Sequence, residues 1–100
     1  MLKIFEDNMT DNGWQILLRL CLSAKNEDIL SELLSLFLTP EEKSSIETRC
    51  LIVKSLLENK LSQRKISEEL NVSIAKITRG SNELKRISPR LLEFLQQNGL

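Results

Sequence analysis

One hundred residues carrying 14 Lys+Arg, 14 Asp+Glu and no His have a formal net charge of zero. That length limits the chain to a single domain with a modest core, which oligomerisation would supplement. Without His, His-based acid–base catalysis and every His-containing zinc site are excluded.

Helix formers dominate, only three Gly and two Pro are present, and no alternating β-branched run suggests a strand. The expected class is therefore all-α. No basic-then-apolar leader and no run of about eighteen apolar residues is found, so a soluble, cytoplasmic protein is expected. Cys21 and Cys50 stand alone at apolar positions of helical patterns, which reads as two buried thiols rather than a bridge or a metal site.

In chain order, residues 1–10 show no sustained period and are expected to form a flexible arm, ahead of one domain over 11–100. Asp11 or Asn12 caps a first helix from Trp14 to about Lys25, with Ile16, Leu17, Leu20 and Cys21 as its apolar face. Leu18 and Leu22 widen that face beyond an ordinary amphipathic stripe. Asn26 restarts a helix, and Glu27 and Asp28 favour its first turn through the dipole. Ile29, Leu30, Leu33, Leu34, Leu36, Phe37 and Leu38 are again too apolar for one small core. Either they build a dense central core or they pack against a second subunit; the latter is the expectation.

Thr39-Pro-Glu-Glu42 is a helix start, with Thr39 as N-cap, Pro40 at the first helical position and Glu42 closing a capping box. The helix runs to about Asn59, its apolar face being Ile46, Cys50, Val53, Leu56 and Leu57. Arg49 borders that face. Its stem can lie on the core with the head in water, the commoner arrangement, or the guanidinium can await an anion.

The stretch 62–80 reads as two short helices joined by a tight turn. Ser62 N-caps the first, Ile66 and Leu70 are its buried stripe, and Asn71 tolerates the left-handed conformation that ends it. Val72 plugs the turn, Ser73 caps the second helix, and Ile74 and Ile77 are its buried residues. Ser67 is small where crossing helices approach. This is the helix-turn-helix pattern, whose second helix enters the DNA major groove. Any helical hairpin shows such apolar spacing, but the outward positions Ala75, Lys76, Thr78 and Arg79 are two short side chains and two cations with no acid. The charge distribution agrees. Residues 1–59 hold six cations and ten acids, net −4; residues 60–90 hold eight and three, net +5. The basic part coincides with the helix-turn-helix.

Gly80 falls inside the second helix or at its end, either as a stop or where a ligand or phosphate comes close. Ser88 caps a last helix with Pro89 at its first position; Leu91, Leu92, Phe94 and Leu95 give it a packing surface, and Gly99 ends it.

Ile77-Thr-Arg-Gly-Ser-Asn82, preceded by Ser62-Gln-Arg64 and by Leu38-Thr-Pro-Glu41, resembles the bacterial Trp repressor family over roughly residues 33–95. The resemblance implies an interlocked all-helical homodimer of six helices per chain. It implies a repressor that binds operator DNA and uses L-tryptophan as corepressor, so that abundant tryptophan shuts off genes for its synthesis or uptake. For the ligand it implies carbonyl and apolar contacts from Leu36 and Leu38, Thr39 at the ammonium, Arg49 at the carboxylate, and Arg79 with Gly80 against the indole. For DNA it implies Gln63 and Arg64 at phosphates or the groove edge, with Ile74, Ala75, Lys76, Thr78 and Arg79 facing bases or ordered water.

The sequence departs from the family pattern at four places. Glu83 stands where that pattern has a small Ser near the ligand amine, and either binds the ammonium or points to solvent. Ser67 replaces a phosphate-binding Lys, Lys76 replaces a Thr, and Glu47 occupies a Gly position near the pocket. Two other functions compete: a helix-turn-helix regulator without a ligand, and a helical protein-interaction module. An enzyme is not expected, because no nucleophile motif or phosphate-binding Gly loop is present.

Overall fold

The computed structural model describes residues 12–100, and the expected arm over residues 1–10 lies outside them. Six helices and no strand occur among the described residues: α1 (Gly13–Ser23), α2 (Glu27–Phe37), α3 (Pro40–Glu58), α4 (Gln63–Leu70), α5 (Ile74–Leu84) and α6 (Pro89–Gln97). The chain divides into two compact units, one up to Pro40 and one over Glu41–Leu100.

Local chemistry sets the helix starts. Asn12 caps α1 by accepting from the Gln15 N–H at 2.8 Å, while the Gln15 side chain accepts from the Asn12 N–H at 3.3 Å. This reciprocal pair satisfies two of the donors that a helix start leaves open. Asn26 caps α2 by accepting from the Ile29 N–H at 3.0 Å, with no reciprocal bond because the Ile29 side chain has no acceptor. Helix α1 stops at Ser23, short of Lys25: Ala24 is extended, and its N–H returns to the Cys21 carbonyl. Pro40 opens α3, where its missing N–H costs nothing. Asn59 (φ +55°) adopts the left-handed conformation just past the end of that helix.

In the first unit no described helical residue is fully buried. Ile16, Leu17, Leu20 and Cys21 of α1 and Leu30, Leu33 and Leu34 of α2 are half-buried, whereas Trp14, Leu22 and Leu36 are 67%, 86% and 74% exposed. The apolar excess expected from the sequence is thus present as open surface.

The second unit is built on three isoleucines, Ile52, Ile66 and Ile77, with Leu56, Leu70 and Val72 packed around them. Full burial of one such side chain contributes about 1.5–3 kcal/mol. On α3 the sequence pointed to Ile46, Cys50 and Val53, yet the residue in the core is Ile52. Ile46 and Cys50 are exposed, and Val53 is half-buried. The helix carries apolar side chains on more than one face, and the Ile52–Leu56 stripe, four residues apart, is the one turned to the core. Ile74 also departs from expectation. It is 47% exposed, because in the first turn of α5 it precedes the crossing that covers Ile77.

The α4–α5 turn follows the sequence closely. Ser62 accepts from the Lys65 N–H and Ser73 from the Lys76 N–H, at 3.1 and 3.3 Å. Asn71 is left-handed (φ +55°, ψ +49°), and the Val72 N–H returns to the Ser67 carbonyl at 3.1 Å, closing α4 in the manner of a Schellman motif. The Ser67 hydroxyl donates to the Val72 carbonyl and pins the far side of the turn. Ser88 caps α6 through the Leu91 N–H. Gly99 (φ +93°) lets the Leu100 N–H reach the Leu95 carbonyl at 2.9 Å.

Gly80 is neither a stop nor at the helix end. It lies inside α5, where a Cβ would stand 2.9 Å from Ile52 Cγ2 and 3.6 Å from Leu56 Cδ1. The close approach is between helices. Ile52 is β-branched, stiff at χ1 and almost fully buried, so it has little room to yield. Gly80→Ala gains about 1 kcal/mol of helix propensity but overpacks the crossing, at about 1–3 kcal/mol. The overpacking outweighs the gain in propensity. The expected outcome is a thermal midpoint lowered by several degrees, read by circular dichroism, rather than the rise that propensity alone predicts.

Candidate nucleic-acid interface and ligand cavity

Two surfaces of the second unit meet on α5. One is the outward face of the helical hairpin. Ile74, Ala75, Lys76, Thr78 and Arg79 are all exposed, as are Gln63 and Arg64 at the start of α4. Residues 74, 75, 78 and 79 recur at the three-and-four spacing of one helix face. Among the exposed residues of α5, the cations Lys76 and Arg79 meet no acid until Glu83, two turns from the helix start.

The two helices are joined across this surface. Thr78 Oγ1 lies 3.2 Å from Gln63 Oε1. With the hydroxyl donating, the Gln63 carbonyl oxygen is occupied and its NH2 group is left to donate outward. Arg64 sits 3.9 Å from Glu68, and Lys65 3.8 Å from the same carboxylate. Both pairs are well exposed, and pairs of that kind are worth about 0–1 kcal/mol, so an incoming phosphate displaces the carboxylate at little cost. Ser67 is half-buried and its hydroxyl is committed to the Val72 carbonyl inside the motif.

The other surface is a cleft of about 870 Å3 bounded by α3, α5, the segment after it and α6. Its volume is in the range of small-molecule sites, roughly 300–1,000 Å3. Helix α5 lines it with Lys76, Arg79, Gly80 and Glu83, a stripe at i, i+3, i+4 and i+7. Helix α3 contributes Arg49 together with Ile46, Cys50 and Val53. These are the apolar α3 residues that the core does not use. Ile87 and, from α6, Leu91 and Leu95 complete an apolar wall. Three cations, the Glu83 carboxylate and the hydroxyl residues Ser44, Ser45 and Thr48 therefore border an apolar floor, which suits a flat apolar molecule with a charged end.

Of the sequence-derived ligand residues, Arg49, Arg79, Gly80 and Glu83 come together on this cleft. Leu36, Leu38 and Thr39 belong to the first unit, where Leu36 is exposed and Leu38 half-buried. Glu47 is exposed and does not line the cleft. Sequence reasoning missed that Lys76 faces the cleft as well as solvent, and that Cys50 is an exposed cleft residue rather than a buried thiol. The spacing of Lys76 from Gly80 and Glu83 carried that signal. Among the described residues no group of three or more Cys, Asp or Glu is placed to hold a metal ion, and no helix is long and apolar enough to cross a membrane.

A family model described as Trp repressor protein matches residues 12–99, carrying the resemblance through α1 and α2. A Trp operon repressor homolog of Chlamydia trachomatis serovar D is 47% identical over 90 residues, covering 90% of this chain and 96% of that protein. One of Vibrio cholerae serotype O1 is 47% identical over 72 residues, covering 72% of this chain and 70% of that protein. One of Mannheimia succiniciproducens is 45% identical over 75 residues, 75% and 74% of the two.

The Thr78–Gln63 bond is open to a direct check. Thr78→Val is expected to shift the Gln63 side-chain amide resonances in a 15N correlation spectrum. Because the pair is exposed, thermal stability is expected to change by less than about 0.5 kcal/mol.

Proposed function

This chain belongs to the Trp repressor family of tryptophan-responsive DNA-binding repressors, and on that premise we propose how its own residues carry the response. L-tryptophan occupies the cleft of the second unit. Its carboxylate pairs with Arg49, and its indole lies against Gly80 with the Arg79 guanidinium stacked on the ring. Two copies interlock as a homodimer, covering the apolar surface of α1 and α2. The chain acts in the cytoplasm on genes for tryptophan synthesis or uptake, and no catalytic step is assigned to any residue.

One observation supports this reading most: the helix that presents the outward readout face is also a wall of the cleft. A ligand on Arg79 and Gly80 therefore bears on the helix that carries Ala75, Lys76 and Thr78. A ligand favours the DNA-competent state only through its differential contacts with the two states. Coupling of about 1–3 kcal/mol, typical of such linkage, changes DNA affinity about 5–150-fold. In the dimer the two α5 helices meet successive major grooves about 34–36 Å apart. Gln63 donates to phosphate or the groove edge, Arg64 pairs with phosphate, and Ile74, Ala75, Lys76, Thr78 and Arg79 face bases or ordered water.

The test is a gel shift on a tryptophan-operon-type operator, with calorimetry of L-tryptophan binding alongside. One ligand per chain and a shift that strengthens with tryptophan are expected. A shift indifferent to tryptophan would leave a ligand-independent regulator. Operator affinity is expected to fall steeply with salt, since each neutralised phosphate adds about −0.9 to the slope of log K against log salt; a flat profile would instead indicate an apolar protein-interaction surface. Arg49→Ala is expected to abolish the tryptophan response while sedimentation still reports a folded dimer. Unchanged ligand affinity in that variant would place the pocket elsewhere.

A further inference from the structure

Both cations of α4 lean on one acid. Arg64 Nε is 3.9 Å from one oxygen of the Glu68 carboxylate, and Lys65 Nζ is 3.8 Å from the other. Helix α4 has no further cation, and Ser67 has turned its hydroxyl inward to the Val72 carbonyl. On α5, by contrast, neither Lys76 nor Arg79 is in an ion pair among the described residues. The hairpin therefore presents two unpaired cations on its second helix and two occupied ones on its first. We infer that Glu68 is a built-in competitor of DNA phosphate for Arg64 and Lys65, and that it sets the basal affinity of the chain for DNA. The inference rests on the reading of this hairpin as the DNA-binding surface and adds an affinity-setting residue to it.

The spacing makes the competition unavoidable. Glu68 is four residues from Arg64 and three from Lys65, the separations at which helical side chains are neighbours. A phosphate that takes either cation must displace the carboxylate or share the cation with it. When shared, the two anions lie within roughly 8 Å of each other, about one Debye length at physiological salt, and repel. Both routes weaken binding. An exposed ion pair shifts an equilibrium by about fivefold at most, but here two pairs act through one acid. Sequence-independent attraction to DNA is almost wholly a phosphate effect, so Glu68 lowers the affinity for any duplex. A ligand-responsive repressor benefits from that low background, because the response is read against it. Glu68 does not line the cleft, so it acts on the baseline and not on the coupling to tryptophan. Glu69 provides the control: it is exposed, carries the same charge, and is in no ion pair among the described residues.

The test measures binding by fluorescence anisotropy on a labelled duplex of unrelated sequence and on a tryptophan-operon-type operator with and without L-tryptophan. The full chain is compared with Glu68→Gln and Glu69→Gln, each of which keeps size and removes one charge. Circular dichroism confirms that the variants are folded. Glu68→Gln is expected to bind the unrelated duplex about 3–10-fold more tightly, with a salt slope steeper by up to about 0.9, the value of one further neutralised phosphate. Glu69→Gln is expected to stay within about twofold of the full chain. The gain from Glu68→Gln is expected to vanish when Arg64 and Lys65 are both replaced by Gln, since the acid then has no cation to withhold. The factor by which tryptophan strengthens operator binding is expected to be the same within about twofold in the full chain and in Glu68→Gln. Glu68→Gln no tighter than the full chain, an equal gain in Glu69→Gln, a gain that survives loss of both cations, or an altered tryptophan factor would each overturn the inference while the DNA-binding reading stands. If the full chain binds neither duplex, that reading fails and the inference fails with it.

Discussion

The second unit depends on the place where α5 lies against α3 at Gly80. A helix interior normally disfavours Gly, by about 1 kcal/mol relative to Ala. Here the missing Cβ leaves room for the Ile52 side chain, whose Cγ2 would stand 2.9 Å from it. The approach fixes the roll of α5 about its own axis. That roll decides which residues face the core, which face the cleft and which face outward. Ile77 is fully buried, one turn before Gly80. Lys76, Arg79 and Glu83 fall to the cleft side, and Ala75 and Thr78 to the open side. A helix with about 100° between successive residues serves three environments only if its roll is held.

In the proposed reading, that division gives a ligand in the cleft leverage over the DNA-reading surface. The two functions are not joined by a chain of intermediates; they are adjacent stripes of one rigid rod. Lys76 and Arg79 sit on the boundary, exposed and also lining the cleft. In that reading, a molecule that holds these cations by stacking or charge takes freedom from side chains that would also engage a phosphate or base edge. Whether that favours or opposes DNA depends on where the bound cations end up, so the identity of the ligand's charged end matters as much as its affinity.

The parts of the fold written in local chemistry were legible in the sequence. Asn12, Asn26, Ser62, Ser73 and Ser88 each cap the helix they precede, and Asn71 is left-handed where the turn requires it. Such signals need only three or four neighbouring residues. The face of α3 was not legible. Ile46, Cys50, Leu51, Ile52, Val53, Leu56 and Leu57 surround much of the helix, and periodicity cannot say which stripe meets α4 and α5. The structure divides them: Ile52 and Leu56 serve the core, and Ile46, Cys50 and Val53 serve the cleft. The cleft itself is assembled from α3, α5 and α6. Only the resemblance to a known family indicated beforehand that Arg49 and Arg79 share one site, and it gave no hint of the wall from α6.

A net charge of zero is no handicap to a protein that must sit on DNA one way up. Residues 60–90 carry net +5 and residues 1–59 net −4, so the chain is strongly polar along its length. DNA attracts the basic segment that holds the helix-turn-helix, which steers that segment to the duplex during encounter. An evenly basic chain of the same size would bind the polyanion more tightly in many unproductive poses. The salt-sensitive part of affinity scales with the number of cations that reach phosphate, and α4 and α5 together carry four, Arg64, Lys65, Lys76 and Arg79. A larger share of discrimination is then left to the geometry of α5, and that geometry returns to the contact between Gly80 and Ile52.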